Sequence, residues 1–283
     1  TLAVPLTGAA KTVVITSADA AVFEQALAGV KRRLGDIPIV RLDSGPPTVA
    51  LPNAEVVIAI GSKALDLAAQ SPPRVRIVAV LVPDSDPVFT RLKDRPVDVV
   101  GLYAPPDALL DYLRKLVPRA RHVWTIHSPA TASIQSKLEL AVENAGCSLT
   151  ATDVSDAGAA VRALRNPPEA VDAFVMLPDP VVRNSAFDQT LLRLAFERRV
   201  AVVGASSFDV RAGALYALQL DAQALGEQAA VLANRTVVRT STSKNEPLAP
   251  LGVKFVLNMA TARRLGISVP DDLRRQAAEV FGQ

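Results

Sequence analysis

A chain of 283 residues, 49% hydrophobic and 21% charged, is nearly twice the usual domain length of about 150 residues and too apolar for disorder. Its single cysteine, Cys147, excludes an internal disulfide, and two histidines, His122 and His127, leave no basis for a Cys/His zinc site. The net charge of +3 is small, its basic clusters are scattered and aromatics are only 4%, all of which argues against nucleic-acid binding.

In chain order, the β-branched run 12–16 predicts a buried strand, and 18–34 carries Val22, Phe23, Ala26, Leu27 and Val30 at helical spacing. A strand at 37–42 follows. The strand at 56–60 runs into Gly61-Ser62 and a helix over 63–70, which Pro72-Pro73 ends. Strands are predicted at 76–82 and 97–102, and Pro105-Pro106 opens a helix through 116. A second series has strands at 122–126, 148–151, 173–177 and 200–203, alternating with helices at 133–145, 156–164 and 185–197. The tail holds a strand at 215–220, a helix at 222–233 and the polar stretch 239–246. A strand at 253–257 and a helix at 260–265 follow; Gly266 closes that helix as its C′ residue, and Pro270 caps the exit.

Strands alternating with helices imply parallel sheets, because a parallel connection must cross back over the sheet. The expected fold is α/β, with two doubly wound parallel-sheet lobes joined by a three-strand hinge. Lobe 1 comprises 12–102 plus 222–252, and lobe 2 comprises 103–220 plus 256–283. Closure about such a hinge grips a small ligand. No apolar run reaches the roughly 18–20 residues of a membrane helix, and the basic pairs and triplets read as last-turn charges at helix C-termini.

Ligands of open parallel sheets sit outside the carboxyl ends of the strands, where helix N-termini offer free N–H groups. The strand exits here are Thr16-Ser17-Ala18-Asp19, Gly61-Ser62-Lys63, Pro83-Asp84-Ser85-Asp86, His127-Ser128-Pro129, Pro178-Asp179-Pro180 and Gly204 to Phe208. Each Ser or Asp among them could cap a helix or touch a ligand. Gly61-Ser62 stands out, because the glycine admits a ligand to the backbone and the serine adds a donor beside a positive helix end. There is no dinucleotide fingerprint, phosphate loop or nucleophile elbow, and neither histidine has a triad partner set. Asp84 with Asp86, and Asp271 with Asp272, read as solvated or capping acids. Cys147 reads as a small buried hydrophobe and Trp124 as strand core.

Several motifs together resemble a known family. Residues 56–69, the crossover Val99-Val100-Gly101-Leu102 before Pro105-Pro106, the turn Leu116-Val117-Pro118-Arg119-Ala120 and the exit 173–180 follow in its order. So do Gly213-Ala214-Leu215-Tyr216 with Leu220-Asp221, and the closing run Phe255-Val256-Leu257-Asn258 through Ala262, Leu265-Gly266-Ile267 and Pro270. The chain resembles, over roughly 12–281, the solute-binding proteins of ABC transporters of the tryptophan/tyrosine type. The resemblance implies a type I periplasmic-binding-protein fold and a non-enzymatic receptor that captures a small-molecule ligand in the interlobe cleft, with no cofactor and no metal. It implies delivery to ABC transporter membrane subunits, a monomer, and a periplasmic or extracytoplasmic location, membrane-anchored or not before trimming. The Thr1 start fits a removed signal peptide.

By position in that fold, Ser17, Gly61, Ser62, Asp84, Ser128, Ser133, Asp179, Ser206 and Ser207 would line the cleft, with Tyr103 near the hinge. The chain departs from the family where Ala132-Ser133 replaces Asn-Ser and Ser206-Ser207 replaces an Asp-Glu pair. Without those acids an α-amino group lacks its natural partner, which points to a less cationic ligand. The same departure keeps open a sensory or protein-docking module that retains the fold without transport.

Overall fold

The computed structural model describes residues 12–18, 20–42, 54–234 and 247–282. Asp19 of the first strand exit and the polar stretch 239–246 lie outside the described residues. The chain divides into two units, 1–103 with 220–252 and 104–219 with 253–283, so it passes from one to the other three times.

β-Branched runs become strands in the first unit because both faces of its sheet are covered. The strands β1 (Thr12–Thr16), β2 (Ile39–Arg41), β3 (Val56–Ile60), β4 (Arg76–Val80), β5 (Val97–Val100) and β11 (Pro247–Leu248) lie in the order β11-β5-β4-β3-β1-β2. Val14 sits opposite Ile58 and Ile58 opposite Val78 in parallel register. Val13, Ile15, Val57, Ala59, Ile77 and Ala79 pack with Ala64, Leu65 and Ala68 of α2 (Ser62–Ala69). Val14, Ile58, Ile60, Val78 and Val80 pack on the other side with α1 (Ala21–Leu34) and α9 (Ala222–Asn234). Two buried faces explain why these strands read as unbroken apolar runs instead of alternating ones.

The helix pair α1 and α9 meets backbone to backbone. A Cβ on Gly226 would lie 1.9 Å from the Ala26 carbonyl oxygen, and one on Gly29 would lie 2.0 Å from that of Gln223. A different device holds the turn between α2 and β4. The Arg95 guanidinium donates to the Ser71 carbonyl (2.8 Å), the Ser71 hydroxyl (3.0 Å), the Pro72 carbonyl (3.1 Å) and the Val75 carbonyl. Arg95→Ala leaves these acceptors unmatched, and a loss of about 2 kcal/mol is expected in urea unfolding. Arg95→Lys, with a point charge in place of a planar fork, should recover only part of that loss.

In the second unit, β6 (His122–His127), β7 (Ser148–Asp153), β8 (Ala173–Val175), β9 (Ala201–Gly204), β10 (Tyr216–Leu220), β12 (Val253–Asn258) and β13 (Glu279–Phe281) lie in the order β13-β12-β10-β9-β8-β6-β7. Trp124, Ile126, Phe174 and Val202 form one core with α6 (Ala157–Ala163) and α7 (Ser185–Arg198). An aromatic cluster holds α4 (Pro106–Leu116) to the sheet: Tyr112 stacks on Phe255 with ring centroids 4.3 Å apart, and the Tyr216 hydroxyl donates to the Leu109 carbonyl at 2.6 Å. Burial pushes the Tyr216 phenol well above its usual range, so it stays a neutral donor.

The structure corrects several element boundaries. The first helix begins at Ala21, not residue 18, and β4 stops at Val80 because Leu81 turns into the left-handed region (φ 57°). Among the described residues six short elements were not anticipated: α3 (Pro87–Arg91), α8 (Ser207–Ala212), α11 (Asp271–Gln276), β11, β13 and a 3-10 turn at Pro129–Thr131. None exceeds six residues, too few for a periodicity to register. Pro270 is the residue before α11, where Asp271 and Asp272 occupy the first turn. Gly266 closes α10 (Met259–Leu265) in the left-handed conformation, as expected of a C-terminal glycine. Cys147 is half-buried, not buried, with its thiol 3.6 Å from the Ala120 carbonyl.

Candidate functional site

The loops at the carboxyl ends of the strands divide into groups that hold the fold and groups left open. In the first unit Gly61 precedes α2 with φ 87° and ψ 167°. A Cβ there would sit 2.7 Å from the Ser17 hydroxyl oxygen and 3.0 Å from the Phe23 ring. Glycine has no side chain to cap the helix, and Ser17 supplies the cap from β1's exit: its hydroxyl accepts from the Ala64 N–H at 2.9 Å. The Ser17 N–H donates to the Ile60 carbonyl at 3.0 Å, which ties the two exits together.

That arrangement leaves the first two N–H groups of α2, those of Ser62 and Lys63, and the Ser62 hydroxyl without a partner among the described residues. Lys63 is exposed beside them. Two free N–H groups, a hydroxyl, a helix N-terminus and an ammonium all favour an anionic or strongly accepting group. Gly61→Ala should lower stability by about 1–3 kcal/mol, from backbone strain plus the displaced Ser17, with a reduced melting temperature as the readout.

Asp84 and Tyr103 belong to the same unit. Burial, and then the nearby Asp84 charge, raise the Tyr103 phenol above its ordinary value, so it remains a neutral hydroxyl. Asp86 caps α3 by accepting from the Val88 N–H at 2.9 Å.

In the second unit the buried Asp179 is a structural hub. Its carboxylate accepts from the Ser128 N–H (2.7 Å), the Ser128 hydroxyl (2.9 Å), the Thr131 hydroxyl (2.5 Å) and the N–H groups of Val181 (2.9 Å) and Val182 (3.0 Å). Burial alone would raise its pKa. The donors outweigh burial and hold the carboxyl below the usual carboxylate range. Asp179 thus locks β6's exit to β8's exit, and Ser128 is spent on the same lock.

Ser206 caps α8 in a reciprocal box: its hydroxyl faces the Asp209 N–H (3.4 Å), and the Asp209 carboxylate accepts from the Ser206 N–H (3.0 Å). Arg183 joins Asp209 (2.5 Å) to Asp188 (2.7 Å). Burial opposes the Arg183 charge, but the two carboxylates outweigh it and raise its pKa. The Ser207 N–H donates to the Gln219 amide oxygen at 3.2 Å. The hydroxyls of Ser207 and of exposed Ser133 have no partner among the described residues, and Phe208 is 73% exposed.

A family profile described as "ABC transporter substrate binding protein" matches residues 53–281. The chain belongs to that family. In fold, this substrate-binding protein is similar to the ligand-free, open structure of CD0873, a substrate binding protein with adhesive properties from Clostridium difficile. The TM-score is 0.72 at 16% identity, covering 97% of this chain and 100% of that one. An ABC domain in complex with L-Trp from Streptococcus pneumoniae matches with TM-score 0.61 and 16% identity over 97% of this chain and 100% of that one. A conserved domain protein from Vibrio cholerae matches with TM-score 0.59 and 20% identity over 96% and 100%. These likenesses, with two parallel-sheet units, establish the type I periplasmic-binding-protein fold. A sequence search of curated proteins returns no match.

Within the substrate-binding protein, seven of the ten residues singled out from sequence fall into two sets. Ser17, Ser128, Asp179 and Ser206 spend their polar atoms on internal caps and locks, whereas Ser62, Ser133 and Ser207 keep open hydroxyls. Gly61 shapes the backbone beside Ser62, and the Asp84 charge adds to burial in raising the Tyr103 phenol. Sequence reasoning missed Thr131, Arg183, Phe208 and Gln219. Only Phe208 carried a local signal, as an aromatic directly after Ser206-Ser207 at a strand exit.

Proposed function

We propose that this ABC substrate-binding protein works outside the cytoplasm, takes up a small molecule at its strand-exit loops and hands it to the membrane subunits of an importer. The ligand presents a carboxylate or similar acceptor to the N–H groups of Ser62 and Lys63 and to the Ser62 hydroxyl. The Tyr103 hydroxyl of the same unit offers a further contact, and Ser133, Ser207 and the Phe208 ring are the open groups at the strand exits of the second unit. Ser17, Ser128, Asp179 and Ser206 act by positioning these loops. The observation that supports this reading is the open first turn of α2: its third N–H is capped from Ser17 while the first two have no partner among the described residues. Replacement of the family's acidic pair by Ser206-Ser207 favours a ligand without an essential ammonium group. Among the described residues no helix is long and apolar enough to cross a membrane.

Calorimetric titration with small carboxylates, sugars and amino acids tests the reading. At least one saturable ligand is expected, weakened about tenfold by Ser62→Ala and about 100-fold or more by Ser62→Glu, which sets a negative charge on the same N–H groups. Saturable binding indifferent to both substitutions would sink the site.

A further inference from the structure

A cavity of about 270 Å³ opens in the second unit on the side away from the strand-exit loops. It lies toward the amino ends of the strands: Val171 stands two residues before β8, Val200 immediately precedes β9, and Trp124 is in the first half of β6. Its inner residues, Trp124, Phe174 and Leu191, are buried, whereas the two charged lining residues, Arg198 and Glu169, are exposed and so mark its mouth. The Trp124 ring meets Phe174 edge-on at 5.1 Å, and its indole N–H is already satisfied by the Thr152 hydroxyl at 3.0 Å. The interior therefore offers carbon surface and no open hydrogen-bonding group from Trp124. At the mouth, the Arg198 guanidinium pairs neither with Glu169 nor with any other described residue.

Protein interiors are packed closely, and a cavity of this size whose inner side is formed by the buried Trp124, Phe174 and Leu191 is a preformed place for an apolar body. An unpaired guanidinium at its mouth offers two parallel donors, the geometry that suits a carboxylate. We propose that this cavity is a second small-molecule site that takes an apolar-bodied monocarboxylate, with its body against Trp124 and Phe174 and its carboxylate on Arg198. The site is independent of the strand-exit loops and of the transported substrate.

Trp124 is the single tryptophan of the chain, so its fluorescence reports directly on the cavity. The whole protein is titrated with 3-phenylpropionate as the probe and with 2-phenylethylamine as the probe of opposite charge. A saturable change is expected with the carboxylate, weakened about tenfold in Arg198→Ala, restored in part in Arg198→Lys and lost in Val171→Phe, which fills the cavity. Arg198 is exposed, so its variants should melt close to the parent and keep the test readable if Val171→Phe does not fold. No saturable change up to roughly 10 mM, the weak end of small-ligand affinity, overturns the proposal. So does equal binding of the amine, or carboxylate binding that survives Arg198→Ala undiminished.

Discussion

Asp179→Ala is expected to cost about 3–5 kcal/mol in urea unfolding near neutral pH, among the largest effects of any single substitution in this chain. The carboxylate is fully buried and accepts five protein donors, three from backbone N–H groups and two from the hydroxyls of Ser128 and Thr131. Removing it leaves those donors unmatched in a site closed to water, and unmatched buried groups cost more than the hydrogen bonds themselves contribute. Asp179→Asn keeps one acceptor but turns an amide N–H₂ toward donors, so most of the loss should remain. The effect has a pH signature. The folded pKa lies below the unfolded value of about 3.9, so the carboxylate's contribution is fully present above that value and disappears as pH falls through the folded pKa. The stability gap between the parent and Asp179→Asn should therefore be widest above about pH 5 and shrink as the solution is acidified below pH ~4. A gap that widened on acidification would contradict a stabilising carboxylate.

Gly226→Ala carries the second large expectation, a loss of about 2–4 kcal/mol from a single added methyl group. The methyl carbon would stand 1.9 Å from the Ala26 carbonyl oxygen, and backbone cannot swing aside as a side chain can. α1 and α9 would have to separate, opening a core that holds Leu27, Val30, Leu225 and Ala229. Gly158 is the control. It also lies within a helix, but its added Cβ would meet only the tip of the Arg162 side chain and Asp156 Oδ1, both at 3.1 Å, and its φ is ordinary. Gly158→Ala is expected to be neutral or to stabilise by about 0.5–1 kcal/mol. Equal losses at Gly158 and Gly226 would show helix propensity, not close packing, to be the dominant factor.

Much of this architecture was legible in residue pattern. β1 and β3 match the β-branched runs to the residue, because two buried faces demand continuous apolar sequence. The Arg198, Arg263-Arg264 and Arg274-Arg275 charges sit in last helical turns, as dipole arguments expect. The short α8 was legible too: Ser206 followed three residues on by Asp209 is a capping-box spacing.

Other features lie beyond local pattern. The cap of α2 comes from Ser17, 47 residues upstream, and the donors to Asp179 include Ser128 and Thr131, 51 and 48 residues before it. No window of sequence contains both partners. Only the folded arrangement separates a Ser whose hydroxyl is spent on the fold from one whose hydroxyl is left open. Ser128 and Ser206 are of the first kind, and among the described residues the hydroxyls of Ser62, Ser133 and Ser207 are open.

Docking of a ligand on the open first turn of α2 is the proposed mode of capture. Amide hydrogen exchange, measured with and without a ligand identified by calorimetry, tests it most directly. Exchange at the N–H groups of Ser62 and Lys63 should slow about tenfold or more on binding, while the N–H of Ala64, already held by Ser17, changes little. Unchanged exchange at Ser62 and Lys63, with protection elsewhere, would contradict the account.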